Sequence, residues 1–268
     1  MKFYEFGTGN PMTILLLPGT KCHWKNNFEQ VIPLLEKDFH VIVVSYDGFD
    51  ETEHTTHPDT ITETVKIEAY IQEHFNGKID IAYGCSLGGS YVGLLIAREN
   101  IHISHGILGS SDLDQSGKVS AWLNQALTNP LVYHYLHRGA LPGWMEKRMV
   151  RFLGEDYTRA ALKMMGIGGV DMSFVSQKSC FNQDYSDCIT PLPERIDVAG
   201  TKVHIFYALK MGKKVEKRYR KHFKDPDIRR YDLQHEELLM CYPQKWVEEV
   251  KSVLHTDENR NFQGDRNS

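Results

Sequence analysis

Apolar runs of strand length alternate along this chain with segments whose apolar residues recur at helical spacing. Thr13–Leu17 and residues 40–46 are continuous apolar stretches, the pattern of strands buried on both faces. Residues 79–83, 103–110, 201–207 and 228–233 read as further strands, and residues 2–6 alternate, as an edge strand does. Between them, Phe28, Val31, Ile32 and Leu35 place a helix over residues 24–36. A second helix starts at Asp59-Thr60 and runs to Phe75, where Asn76-Gly77 ends it. Small residues fill a helix over 89–98, a basic helix spans 210–224, and a last one spans 243–254. Strands and helices in alternation predict an α/β class, a mostly parallel central sheet flanked by helices.

The alternation is interrupted once. Residues 115–190 lack strand character and break into helical pieces at 119–127, 131–137, 143–153, 157–165 and 170–180. Trp122, Trp144, Met149, Phe152 and Met164 give these pieces apolar faces, more of them for internal packing than for a ligand. This segment reads as a helical cap inserted between two core strands. The core is then residues 1–114 and 191–256, and residues 257–268 form a polar tail expected to be disordered.

Candidate chemistry sits in residues 79–98. A strand leads into Gly84-Cys85-Ser86-Leu87-Gly88, a G-x-S-x-G pattern, and a helix follows. In that context the serine occupies a sharp strand-to-helix turn with its hydroxyl exposed, and the helix N-terminus faces it. His235 follows the last strand, in Gln234-His235-Glu236-Glu237.

Together the elbow, the alternation and the histidine after the last strand resemble the α/β-hydrolase fold family, over residues 13–254 with the cap as the variable part. The resemblance implies roles. Ser86 would attack an acyl carbon, and His235 would take its proton and later return it to the leaving group. The N–H groups of Thr20, in Pro18-Gly19-Thr20 after Thr13–Leu17, and of Leu87 would hold the oxyanion. In most members an acid follows the penultimate strand, but here Ala208-Leu209-Lys210-Met211 puts a methionine there. Asp112, after the preceding strand and with Asp114 behind it, is the preferred replacement. Its plainer role is a cap for the first cap helix. Glu216 reaching back from its helix, or no acid at all, are the other possibilities.

Composition changes this picture little. The 268 residues are 41% hydrophobic and 25% charged, ordinary for a globular protein, and the net charge of −4 points to no polyanion. No apolar run reaches the ~20 residues of a membrane span, and the first residues have no signal-peptide core. Five scattered cysteines read as reduced thiols of a cytoplasmic protein. Glu51, Glu53, His54 and His57 crowd one loop but read as solvated rather than as a metal site. The expected activity is a serine hydrolase acting on a small-molecule ester or related acyl substrate through an acyl-enzyme on Ser86, with no cofactor or metal and no nucleic-acid partner. The alternatives are a catalytically degenerate ligand-binding protein, motivated by Met211, and acyl transfer to an acceptor other than water. Oligomeric state is not read from the sequence.

Overall fold

A computed structural model describes residues 1–255, so the tail at 257–268 lies outside the described residues. Seven strands form the sheet: β1 (Lys2–Phe6), β2 (Thr13–Leu17), β3 (His40–Ser45), β4 (Lys78–Gly84), β5 (His102–Leu108), β6 (Lys202–Ala208) and β7 (Asp227–Tyr231). Their order is β1-β3-β2-β4-β5-β6-β7. β1 pairs antiparallel with β3 at one edge, and every other pairing is parallel. The first helices are α1 (Trp24–Phe28), α2 (Ile32–Leu35), α3 (Thr60–Phe75) and α4 (Leu87–Arg98). Between β5 and β6 come α5 (Lys118–Arg138), α6 (Gly143–Leu153), α7 (Glu155–Met164) and α8 (Gln177–Ile189). The remainder are α9 (Lys213–His222), α10 (Glu237–Cys241) and α11 (Pro243–Ser252).

The period-2 geometry of strands explains why the sheet needs helices on both sides. Leu15, Leu17, Ile42 and Val44 join one apolar cluster with Ile67 and Ile71 of α3 and Tyr91, Val92 and Leu95 of α4. Their neighbours Ile14, Leu16, Val41 and Val43 point the other way, to Trp24 and Phe28 of α1 and Trp246 and Val250 of α11. Both faces are buried, which is why these strands read as unbroken apolar runs.

Several helices differ from the sequence expectation. The helix expected over 24–36 is two short ones, with Pro33 in the first turn of the second. α5 runs unbroken through Pro130, where two pieces were expected. Pro130 and Ala126, whose carbonyl loses its donor there, are both exposed, so water replaces the missing hydrogen bond. Residues 170–176 are not helical, and α8 begins only where Ser176 caps it by accepting from the Ser179 N–H. The basic helix starts late, at Lys213, after a 3-10 turn at Leu209–Met211. Among the described residues no helix is long and apolar enough to cross a membrane.

Candidate active site

Parallel strands place their carboxyl ends on one side of the sheet, and there the sequence-expected residues emerge. β4 ends at Gly84, opposite Leu17 of β2 and Leu108 of β5. The turn after it is held from both neighbours: Cys85 N–H donates to Leu17 O at 3.0 Å and Gly109 N–H to Gly84 O at 2.9 Å. Ser86 has φ 50° and ψ −111°, a conformation sparsely populated by any residue with a Cβ. Such strain costs on the order of 1–3 kcal/mol and persists only where the surroundings over-determine it. A Cβ on Gly84 would collide with the Gly88 carbonyl, so glycine is required before the serine by close approach. Ser86 itself is half-buried and heads α4, whose N-terminal dipole points at it.

The loop after β2 is fixed at almost every polar atom. Tyr46 donates its hydroxyl to Pro18 O at 3.3 Å, and Gly19 N–H donates to Asn27 Oδ1 at 2.8 Å. Gly19 O accepts from Cys22 N–H, and Thr20 O from the Cys22 thiol. Lys21 N–H donates to Gln183 Oε1 of α8 at 2.6 Å, and its ammonium pairs with Asp184. Thr20 N–H has no acceptor among the described residues, and neither does Leu87 N–H, in contrast to Gly88 and Gly89 N–H, which donate to Cys85 O and Ser86 O. The loops are adjacent: a Cβ on Gly19 would lie 3.6 Å from Ser86 Cβ. Two unpaired N–H groups beside a helix-heading serine are what stabilisation of a developing oxyanion requires.

His235 lies in the loop between β7 and α10 and is half-buried. The Tyr157 hydroxyl of α7 donates to its backbone carbonyl at 3.0 Å. The next residue, Glu236, carries its carboxyl to the Ser86 amide at 2.7 Å, so the histidine loop and the elbow are side by side. No hydrogen bond joins the His235 ring to Ser86 Oγ among the described residues, and such bonds are often loose before substrate binds. Two other buried histidines are engaged with each other, His105 Nδ1 facing His204 Nε2 at 3.1 Å and His204 Nδ1 facing Asp227 at 3.0 Å.

No hydrogen bond joins the Asp112 carboxylate to His235 among the described residues. The Asp112 side chain is exposed; its Oδ1 accepts from Asp114 N–H at 3.2 Å, and its carbonyl accepts from Arg218 at 2.9 Å. Its charge is felt by Asp187 of α8, which burial, with help from that charge, pushes up to about 7. Glu216 is also elsewhere, bound to Arg220 at 3.0 Å and to Arg230 at 2.5 Å. Met211, at the position where the family commonly has its acid, packs against the apolar core. The loop cluster read as solvated differs at one member: His57 is fully buried.

Glu236 is the residue that sequence reading missed. It is 3% exposed, and burial raises its carboxyl above the ordinary range. No signal in the sequence singles it out, since it sits in a run of four polar residues, Gln234-His235-Glu236-Glu237.

Comparison with known proteins agrees with this architecture. A model of the alpha/beta hydrolase family matches residues 14–230. The chain is similar in structure to a putative alpha/beta hydrolase family protein from Desulfitobacterium hafniense, with a TM-score of 0.73 at 16% identity, over 94% of this chain and 100% of that one. It is also similar to MenH from S. aureus (TM-score 0.66, 14% identity, 94% and 96% covered). The enol-lactonase from Burkholderia xenovorans shows the same degree of likeness (TM-score 0.66, 15% identity, 94% and 94% covered). None of the curated proteins matches the chain.

Proposed function

The chain belongs to the alpha/beta hydrolase family, and on that premise we propose that it is a serine hydrolase acting on a small-molecule ester or related acyl substrate. The observation that carries the proposal is Ser86 in its strained turn at the head of α4, flanked by the unpaired N–H groups of Thr20 and Leu87. Ser86 Oγ attacks the acyl carbon while His235 accepts its proton. The oxyanion settles on Thr20 N–H and Leu87 N–H, and His235 returns the proton to the leaving group. Water then enters by the same route and releases the acid. All five cysteines are free, in keeping with a cytoplasmic setting.

Asp112 enters the proposal as the weakest member, because its carboxylate makes no hydrogen bond to His235. A triad aspartate whose loss matters is worth about 10⁴ in kcat. Asp112→Asn is expected to cost far less, leaving Ser86, His235 and the two amides as the working set.

The experiment is covalent labelling with a fluorophosphonate, paired with turnover of short-chain p-nitrophenyl esters. Wild type should label and turn over, and Ser86→Ala should do neither. A well-folded wild type that fails to label would sink the proposal. A ligand-binding protein without turnover is the second reading, favoured because no hydrogen bond joins His235 to a carboxylate among the described residues. It requires that Ser86→Ala bind the ester as wild type does and that no ester be consumed. Adding competing alcohols or amines and identifying the products separates hydrolysis from acyl transfer.

A further inference from the structure

The carboxyl group nearest the nucleophile does not belong to any acid that the family pattern would nominate. Glu236 has φ 55°, a left-handed turn that a side chain with a Cβ seldom adopts. That turn lets His235 and Glu236, consecutive in the chain, serve different places. Glu236 N–H donates to Ser110 Oγ at 3.0 Å. Its side chain passes beneath the elbow, where Oε1 accepts from the Ser86 N–H at 2.7 Å and Oε2 meets the Tyr83 hydroxyl at 2.9 Å. The place is cut to fit: a Cβ on Gly109 would stand 2.7 Å from Oε1 and collide with the Tyr83 hydroxyl.

We propose that Glu236 is a positioning residue of the nucleophile–base pair: its carboxyl, bonded to the Ser86 amide, fixes the elbow against the loop that carries His235. It thereby does through the backbone what an acid on the imidazole does through the ring. This inference rests on the acyl-transfer reading of Ser86 and His235.

Three features support the assignment. Glu236 ties together three chain segments: its carboxyl holds the end of β4 with its turn, its N–H holds Ser110 in the turn after β5, and it sits in the loop after β7. The part-buried Ser86 amide has no other acceptor among the described residues and would be left unpaired without Glu236. Both oxygens of the buried carboxyl are held, Oε1 by the Ser86 N–H and Oε2 by the Tyr83 hydroxyl, which donates to it, and burial raises the carboxyl above its ordinary range. Glutamine has the same shape and keeps the acceptor for the Ser86 N–H, and the Tyr83 hydroxyl can turn to accept from its amide, whereas aspartate is one methylene too short to reach.

The test uses the full chain, with fluorophosphonate labelling rates and steady-state ester kinetics for wild type, E236Q, E236A and E236D, and circular dichroism as the control for folding. E236A and E236D should lower kcat and the labelling rate by about 10²-fold, the scale of a small misplacement of reacting groups, with KM little changed. E236Q should restore most of kcat. A folded E236A or E236D with wild-type kcat overturns the inference while leaving Ser86 as nucleophile. E236Q as damaged as E236A also overturns it, because the carboxyl would then act by its charge or proton and not by its shape. Should E236A not fold, E236Q against E236D decides alone. Wild type that does not label overturns the acyl-transfer reading itself, a result distinct from either of these.

Discussion

At the scale of single residues, the opposition between activity and stability is sharpest at Ser86. Its backbone strain, on the order of 1–3 kcal/mol, is larger than the roughly 0.4–1 kcal/mol that a glycine adds to the unfolded chain's entropy. Ser86→Gly should therefore abolish ester turnover yet raise stability by about 1 kcal/mol, read as a higher midpoint in urea. A lower midpoint would mean that the turn is not strained. His57 makes a second residue-scale prediction. Its ring nitrogens are buried, its ring faces Tyr46 and Phe49, and burial pulls its pKa down to about 4. The folded protein keeps this group neutral where the unfolded chain, near 6.5, takes up a proton. Its contribution is complete above about 6.5 and is lost as pH falls toward 4, with a slope of at most about 1.4 kcal/mol per pH unit. His57→Phe should flatten urea stability over that window. His105, also held near 4, supplies a parallel slope that this substitution leaves untouched.

The same scale shows what the sequence could disclose. The strained turn at Ser86 was legible because it comes with a backbone signature, two glycines between a strand and a helix. His235 was legible from chain order. Glu236 was not, because its partners are a backbone amide, a tyrosine hydroxyl and the space that Gly109 leaves, none of which forms a spaced motif. His57 misled because a polar loop usually faces water. Here α8 covers it, Ser179 Oγ accepting from the His57 N–H at 3.2 Å and Asn182 donating to its carbonyl at 2.8 Å.

At the scale of elements, the helices between β5 and β6 do more than cover the sheet edge. α8 holds the loop after β2 through Gln183 and Asp184, and α7 holds the loop after β7 through Tyr157. Gln183 is 1% exposed, so its contact with Lys21 N–H is shielded from water. Removing an oxyanion donor outright costs about 10²–10³ in kcat. Loosening the segment that presents one should cost less, so Gln183→Ala is expected to lower kcat by about 10-fold with the fold intact by circular dichroism. An unchanged kcat would show that Thr20 is placed without α8. The strands were readable because burial on both faces leaves an unbroken apolar run. Helix limits were less so: Pro130 looks like a terminator, yet it lies on an exposed face where the lost hydrogen bond is cheap.

At the scale of the whole molecule, the parallel sheet explains why residues distant in sequence converge. Thr20, Ser86 and His235 follow the carboxyl ends of β2, β4 and β7, and parallel pairing puts all those ends on one side. This convergence is what a family resemblance carries. It carries neither the acyl group nor the leaving group. α6 illustrates how free the inserted helices are, having no buried residue of its own.

Tyr157, Gln183 and Asp184 bear on any attempt to redesign the protein. Exchanging residues 118–189 for the insert of another family member would also remove the props under the loops that carry Thr20 and His235. Under the proposed function, selectivity and rate would then run through the same helices. A chimaera would have to keep those three contacts before its new pocket could be judged on the substrates it admits.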